Sequence, residues 1–322
     1  MILITGAAGF IGSALTAYLN EQGLTDLVLV DDFSHPAKRP NWIHKRYRYL
    51  VERHQLWDWL KAYASELRAI FHIGARTDTF LQDEATFHEL NLTYSQKLWM
   101  IAAEYQIPFF YASSAATYGD GTLGFSDDEK LLPALKPLNP YARSKHQFDL
   151  WVVSQTHTPP RWAGFKFFNV YGPNEYHKGA MSSVAYRGTL QILQENELRL
   201  FRSYRPDYRD GEQKRDFIYV KDVVQVLYFF LVGEAPSGIY NLGTGRAESF
   251  LTLGEALFRA MGRPARIRFI DMPEAIREKY QYFTQADVRK LRSVGYTQPF
   301  HSLSEGVEAY VREYLWPNLR YW

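Results

Sequence analysis

The chain has 322 residues, 37 of them basic and 35 acidic, for a net charge of +2, and it contains no cysteine. That length supplies a core for one large α/β domain or two intimate lobes. The balanced charge argues against nucleic-acid and membrane-surface partners, and the absent thiols exclude disulfides, a cysteine nucleophile and a thiolate metal site.

From the N-terminus, Ile2–Thr5 is an apolar run of strand length, without the charged start and cleavage site of a signal peptide. Leu27–Val30, Ala69–His72, Phe109–Ser113 and Ala163–Phe168 repeat that strand pattern. Between them, Ile11–Gln22, Gln55–Ala64, Thr86–Tyr105 and Tyr141–Gln155 read as helices. This alternation predicts an α/β fold, a Rossmann-like doubly wound parallel sheet. Past Asn169 prolines and polar loops multiply. A strand near Asp216–Val220, a helix over Asp222–Leu231 and a strand at Gly238–Leu242 are expected to return to the sheet. The run from Val223 to Val232 is too short to span a bilayer and is interrupted by Gln225. A cytoplasmic protein is the simple reading. The nine histidines form no HExxH-type pair, and no metal is expected.

Gly6-Ala-Ala-Gly9-Phe10-Ile11-Gly12 follows the first strand and opens a helix. Glycines there permit a tight turn and close backbone approach to a pyrophosphate, and the helix N-terminus supplies N–H donors and a positive dipole end. The motif predicts a dinucleotide site. It places a dinucleotide domain over 1–169 plus about 216–245, and a smaller α/β substrate lobe over about 170–215 plus 246–322. Asp31, 19 residues after Gly12 and followed by Asp32, stands where an acid holds the adenosine ribose 2′-hydroxyl, which argues for NAD. Lys38, Arg39 and Arg53 offer charge for the 2′-phosphate of NADP instead, and the residues alone leave both open. Ile73-Gly74-Ala75-Arg76 reads as a loop passing the cofactor's ribose and phosphates, with Asn91 on the following helix as its support.

Tyr141-Ala-Arg-Ser-Lys145 puts a phenol and an amine one helical turn apart on one face. A nearby ammonium favours the phenolate, so this pair is expected to lower the tyrosine pKa and let it deprotonate an alcohol while a nicotinamide takes the hydride. Ser114 closes the strand Tyr111-Ala-Ser-Ser114, where ligands bind in such sheets.

Taken together, Gly6–Gly12, Ser114 before Tyr118-Gly119, Pro140-Tyr141…Lys145 and Arg215-Asp-Phe-Ile-Tyr-Val resemble the extended short-chain dehydrogenase/reductase family of sugar-nucleotide enzymes. Narrower pieces point to the branch that epimerises ADP-activated heptose at C6″ for lipopolysaccharide. These are Phe167-Phe-Asn169-Val-Tyr-Gly-Pro173, His177-Lys178-Gly179 and Phe283-Thr-Gln-Ala-Asp287. The resemblance implies that Ser114 binds the substrate hydroxyl, that Tyr141 is an acid/base, that Lys145 also holds the nicotinamide ribose, and that Lys178 is a second acid/base. It adds Val170 and Lys178 to the surroundings of the cofactor, taken to be tightly held NADP. Around the nucleotide-sugar it adds Asn169, Ala180, Arg187, Phe201, Arg215 and Tyr280, and it implies a homo-oligomer, a pentamer. Chemistry gives Lys178 a purpose: once a ketone turns its other face, its oxygen leaves Tyr141 and needs another proton donor.

Of Arg202, Arg205, Arg209, Lys214 and Arg215, only Arg215 is expected to meet substrate phosphates. The loop carrying them is longer than the family's, and Ala180 and Arg187 stand where Ser and His are usual. Two other readings compete with the epimerase. One is a 4-epimerase or 4,6-dehydratase of the same family, although Ala115-Ala116 replace the Asp-Glu pair a dehydratase needs. The other is a non-catalytic nucleotide-binding relative, which would have no use for the Tyr/Lys pair.

Overall fold

The structure is a computed structural model that describes residues 1–78, 81–277 and 280–322. Its strands are β1 (Ile2–Thr5), β2 (Leu27–Asp31), β3 (Tyr49–Glu52), β4 (Ala69–His72), β5 (Phe109–Ser114), β6 (Trp162–Phe167), β7 (Asn169–Tyr171), β8 (Leu198–Phe201), β9 (Lys214–Tyr219), β10 (Gly238–Leu242), β11 (Ala247–Ser249) and β12 (Ile267–Ile270). Seven of them form one sheet in the order β3-β2-β1-β4-β5-β6-β10, with every pairing parallel. The expected doubly wound sheet is present. Its apolar strands alternate between two cores. Ile2, Ile4, Leu27, Leu29, Phe71, Phe110 and Phe165 face one. Leu3, Val28, Val30, Ile70, Phe109 and Tyr111 face the other.

Helix α1 (Phe10–Glu21) covers the first face, and α2 (Leu56–Tyr63) the second. The single helix expected over Thr86–Tyr105 is broken. A short α3 (Glu84–Phe87) runs through a π-helical turn, His88–Thr93, into α4 (Tyr94–Glu104). Helix α5 (Pro140–Val153) starts under an Asn139 cap that accepts from the Ala142 N–H at 2.8 Å, with Pro140 in its first turn. No helix among the described residues is long and apolar enough to cross a membrane.

One expectation fails. β10 rejoins the large sheet, but β9 does not: it lies between β11 and β7 in a separate three-stranded sheet. β9 opens with Lys214, Arg215 and Asp216, and the last two are buried, so Asp216 must find donors that the large sheet does not offer. It accepts from the N–H groups of Thr244 (2.7 Å), Gly245 (2.9 Å) and Ala286 (3.0 Å). That ties the Phe283–Asp287 segment to β9. Edge strand β3 also escaped sequence reading, because only Val51 of its four residues is buried. The remaining chain adds α6 (Val184–Glu195), α7 (Val220–Val232) and α8 (Phe250–Ala260), with a parallel pair β8/β12.

A fully buried ion pair locks α5 to the sheet. Asp149 on α5 accepts from Lys166 Nζ of β6 at 2.6 Å, from Ser113 Oγ at 2.7 Å and from Tyr111 Oη at 3.0 Å. Lys166 also donates to Thr117 at 2.7 Å. Removing one partner strands the other as a bare interior charge. Lys166→Met is therefore expected to lower stability by about 3–5 kcal/mol, measured by urea unfolding. Adding Asp149→Asn, which removes the charge and leaves one acceptor and one donor for the Tyr111 and Ser113 hydroxyls, should restore most of the loss; a double variant no more stable than Lys166→Met would disprove this account.

Candidate active site

The ends of β1, β2 and β4 open into a cleft of about 530 Å³ lined by Gly6, Gly9, Phe10, Ile11, Gly12, Asp31, Asp32, Lys38, Arg53, Ile73, Gly74, Ala75, Arg76 and Lys178. Most of the expected cofactor residues therefore share one cavity. Gly6 has φ +68°, and a Cβ on it would lie 2.6 Å from Gly74 Cα; on Gly12 a Cβ would lie 2.1 Å from the Gly6 carbonyl oxygen. No side chain fits this cradle, and it fits a pyrophosphate against the start of α1. Asp31 is buried and turned into the protein. One carboxylate oxygen accepts from Ala8 N–H (2.9 Å), and the other from Asp32 N–H (2.8 Å) and Lys38 Nζ (2.9 Å). Arg53 lines the cleft with no carboxylate at ion-pair distance among the described residues.

Asn91, in the π-helical turn, grips the Gly74–Arg76 loop. Its Oδ1 accepts from Arg76 N–H at 2.8 Å, and its Nδ2 donates to Arg76 O at 2.9 Å and to Ser144 Oγ at 3.0 Å. Ser144 in turn donates to Tyr141 O at 2.7 Å, which links that loop to α5. Asn91, Tyr141, Lys145 and Val170 do not line the cleft itself.

Ser114 ends β5, its hydroxyl accepting from Ala116 N–H at 3.1 Å. The Lys145 ammonium is 3 % exposed and donates to the Ala112 carbonyl of the same strand at 2.7 Å. Burial brings its pKa down to about 8, opposed by the Asp149 carboxylate. Burial pushes the Tyr141 phenol above its ordinary value, with the Ser114 hydroxyl acting the other way. The expected lowering of Tyr141 by Lys145 is thus absent: desolvation dominates while the ammonium faces Ala112.

Lys178 lies in a 3₁₀ turn, Tyr176–Met181, with its ammonium 5.4 Å from the centre of the Phe10 ring. Burial lowers its pKa, and the nearby Glu175 carboxylate resists. His177 is held down to about 4, chiefly by burial and then by repulsion from Lys38 and Lys178.

Three of the expected substrate residues come together. Arg215, 7 % exposed, lies 5.1 Å from the Tyr280 ring and 5.7 Å from Phe250, and Phe201 packs edge-on against Tyr280 at 6.3 Å. Its guanidinium donates to the Lys214 carbonyl at 2.8 Å and has no acidic partner among the described residues. Its neighbours differ: Arg205 pairs with Asp207, Arg202 approaches Asp271, and Arg209 and Lys214 are exposed. Asn169, Ala180 and Arg187 are exposed and take no part in this stack.

Sequence reading missed the Asp149–Lys166 pair and Asn41. Lysine inside the apolar strand Ala163–Phe168 was the available signal, since such a cation demands a buried carboxylate. Asn41 carried none; it is buried, with its Nδ2 3.0 Å from Asn174 O and 2.9 Å from Ala8 O. A pH prediction follows from Lys145, whose folded pKa of about 8 lies below its ordinary 10.5. Between those values the unfolded chain binds more protons, so Lys145 makes stability rise with pH across that window. Lys145→Met should lose this part of the rise in thermal melts of dinucleotide-free protein. Parallel wild-type and variant curves would contradict it.

These features recur in known proteins. Residues 2–243 match the model of the NAD dependent epimerase/dehydratase family. ADP-L-glycero-D-manno-heptose-6-epimerase of Fusobacterium nucleatum subsp. nucleatum is 45% identical over 325 residues, covering 98% of both chains. The same-named enzyme of Nitratidesulfovibrio vulgaris is 48% identical over 317 residues, again covering 98% of both. The crystal structure of Helicobacter pylori ADP-L-glycero-D-manno-heptose-6-epimerase superposes with a TM-score of 0.81 at 27% identity, over 97% of this chain and 95% of that one. A nicotinamide-dinucleotide cradle, a Ser/Tyr/Lys set at the strand ends and full-length similarity agree, and the chain belongs to the NAD dependent epimerase/dehydratase family.

Proposed function

We propose that the chain inverts C6″ of ADP-D-glycero-D-manno-heptose to the L-glycero epimer, a step that supplies lipopolysaccharide heptose. Full-length identity with enzymes of that name supports the substrate. The observation that carries the mechanism is Lys178: a desolvated lysine in the dinucleotide cleft, additional to Ser114, Tyr141 and Lys145. The Gly6–Gly12 loop and Ile73–Arg76 would hold the dinucleotide, whose nicotinamide would supply reversible hydride acceptance for oxidation of the carbinol carbon and re-reduction of the ketone from its other face.

The chain's own groups move the protons. Tyr141 accepts the proton of the C6″ hydroxyl, which the Ser114 hydroxyl holds in place. Lys145, kept cationic at neutral pH by a pKa of about 8, stabilises the phenolate once the site closes around its ligands. Lys178 then protonates the oxygen on the opposite face, a task its lowered pKa suits. Arg215, backed by Tyr280 and Phe250, meets the diphosphate. A 4-epimerase would leave Lys178 without a task.

The dinucleotide is NADP. Asp31 has its oxygens engaged by Ala8, Asp32 and Lys38, which leaves it a poor partner for a ribose 2′-hydroxyl, while Lys38 and Arg53 line the cleft as cations. By family resemblance the protein is a homo-oligomer.

Incubation with ADP-D-glycero-β-D-manno-heptose, followed by NMR, should show C6″ inversion; turnover of a UDP- or GDP-sugar without it would sink the assignment. Tyr141→Phe and Lys178→Met should each slow epimerisation by about 10²–10⁴-fold and leave the dinucleotide bound. Wild-type rates in Lys178→Met would end the two-base scheme. Lys38→Ala and Arg53→Ala should each weaken NADP binding about tenfold, the loss of one charge-assisted contact, with less effect on NAD by calorimetry. Equal losses for both dinucleotides would refute the NADP reading.

A further inference from the structure

The turn that carries Lys178 is held from outside by the last residues of the chain. Asn174, fully buried at φ +78°, takes both backbone groups of Trp322 with its side-chain amide. Trp322 N–H donates to its Oδ1 at 2.9 Å, and its Nδ2 donates to Trp322 O at 3.0 Å. The same Nδ2 reaches Ser13 Oγ on α1 at 3.1 Å, and Ser13 donates to the carbonyl of Phe10, the ring beneath Lys178, at 3.0 Å. Two residues on, the Tyr176 hydroxyl donates to Arg320 O at 2.8 Å, and its ring meets Tyr321 edge-on at 4.9 Å. The Trp322 indole donates to Glu21 Oε1 at 2.5 Å and packs edge-on against Tyr18. Residues 320–322 thus bridge α1 and the 174–178 turn.

We propose that residues 320–322 are a strap that positions Lys178 over Phe10, making Asn174, Tyr176, Tyr321 and Trp322 positioning residues for inversion that touch no reacting atom. The proposal rests on the reading of Lys178 as the second acid/base. The turn has its own anchor without the strap: buried Glu175 accepts from Ser183 Oγ at 2.7 Å, from Gly172 N–H at 3.2 Å and from Tyr310 Oη at 3.1 Å. That anchor reaches the backbone of Lys178, whose N–H donates to the Glu175 carbonyl at 3.0 Å, but not its side chain. On the far side, Ser182 holds the Gly179 carbonyl through its hydroxyl at 2.6 Å and its N–H at 3.1 Å, and Gly179 itself, at φ +54°, carries no side chain to pack against the lysine. Asn174 and Tyr176 flank the anchor, and the strap holds both. Loosening it leaves the turn in place and lets the lysine swing, and a shift of about 1 Å at a reacting group can cost about a hundredfold in rate.

The test uses the full-length, dinucleotide-loaded protein with Asn174→Gly, which keeps the left-handed backbone but removes the amide, and with Tyr321→Ala. Epimerisation is followed by NMR, and the step at Tyr141 separately, by reduction of the bound nicotinamide on adding substrate. Both variants should epimerise about ten- to a hundredfold more slowly, with the Tyr141 step and the melting temperature near wild type. In dinucleotide-free protein, Lys178 acylation by acetic anhydride, quantified by peptide mass spectrometry, should shift to higher pH in both variants, toward an ordinary lysine. Wild-type epimerisation in both variants overturns the strap, as does a parallel fall of both steps together with the melting temperature. If Lys178→Met is inactive while the strap variants are normal, the strap alone falls. If Lys178→Met epimerises normally, the two-base reading falls and takes the strap with it.

Discussion

The buried contact between Asp149 and Lys166 sets how α5 lies on β5 and β6, and Ser114, Tyr141 and Lys145 ride on those elements. Tyr141, Lys145 and Asp149 follow one another at four-residue spacing along one face of α5. The carboxylate at the end of that stripe is bonded to two side chains of β5 and one of β6, so it fixes the helix in rotation as well as in distance. Lys145 then reaches the Ala112 carbonyl, and Ser114 stands two residues further along the same strand. A surface ion pair would be too weak and too mobile for this work. An interior pair has to be nearly complete in its hydrogen bonds to be tolerated at all, and that completeness makes it rigid.

The other desolvated cations, buried Lys145 and Arg215 and half-buried Lys178, are treated differently. Lys166 has its carboxylate; Lys145, Lys178 and Arg215 have none at ion-pair distance among the described residues, and burial lowers the pKa of each. A desolvated cation without a counter-ion destabilises the fold by itself. The fold holds these three on α5, on the turn after β7 and at the start of β9, where the ligands expected are anionic or become so: a diphosphate, a phenolate, a developing alkoxide. Binding such a ligand relieves what folding left uncompensated, and the site has little reorganising left to do when charge develops.

The large sheet, its helices and the glycine loop were legible in the sequence because each rests on local signals. Apolar runs alternate with helical periodicity, and three glycines sit at a strand-to-helix turn. β9 was misplaced because its apolar second half, Phe217-Ile-Tyr219, reads like a sheet strand, while the buried charge that redirects it finds its partners 28 to 70 residues away. The break at His88–Thr93 was likewise invisible, since nothing in the local composition forbids a regular helix there. The tyrosine pKa was misjudged for a related reason. Spacing showed that Lys145 lies beside Tyr141 but not that its ammonium points at Ala112. Side-chain direction in a buried site depends on which backbone carbonyls lack partners, and that is a property of the assembled strands.

Inversion at one carbon asks more of this framework than oxidation does. Oxidation needs proton and hydride acceptors on one face, and α5, the end of β5 and the glycine loop after β1, one strand (β4) removed in the same sheet, gather there. Inversion needs a second proton donor, and the group proposed for it, Lys178, sits on a short turn after β7 rather than at a strand end of the large sheet. A lysine on such a turn is inherently less fixed than one on a helix; it needs contacts from outside its own element. Those contacts lead to α1, through Asn174, Ser13 and the Phe10 ring. The first turn of α1 is also the dinucleotide cradle, so the lysine and the cofactor loop share one support. Their separation is then set by a few hydrogen bonds, so that on the proposed two-base reading Lys178 stays in register with the glycine loop.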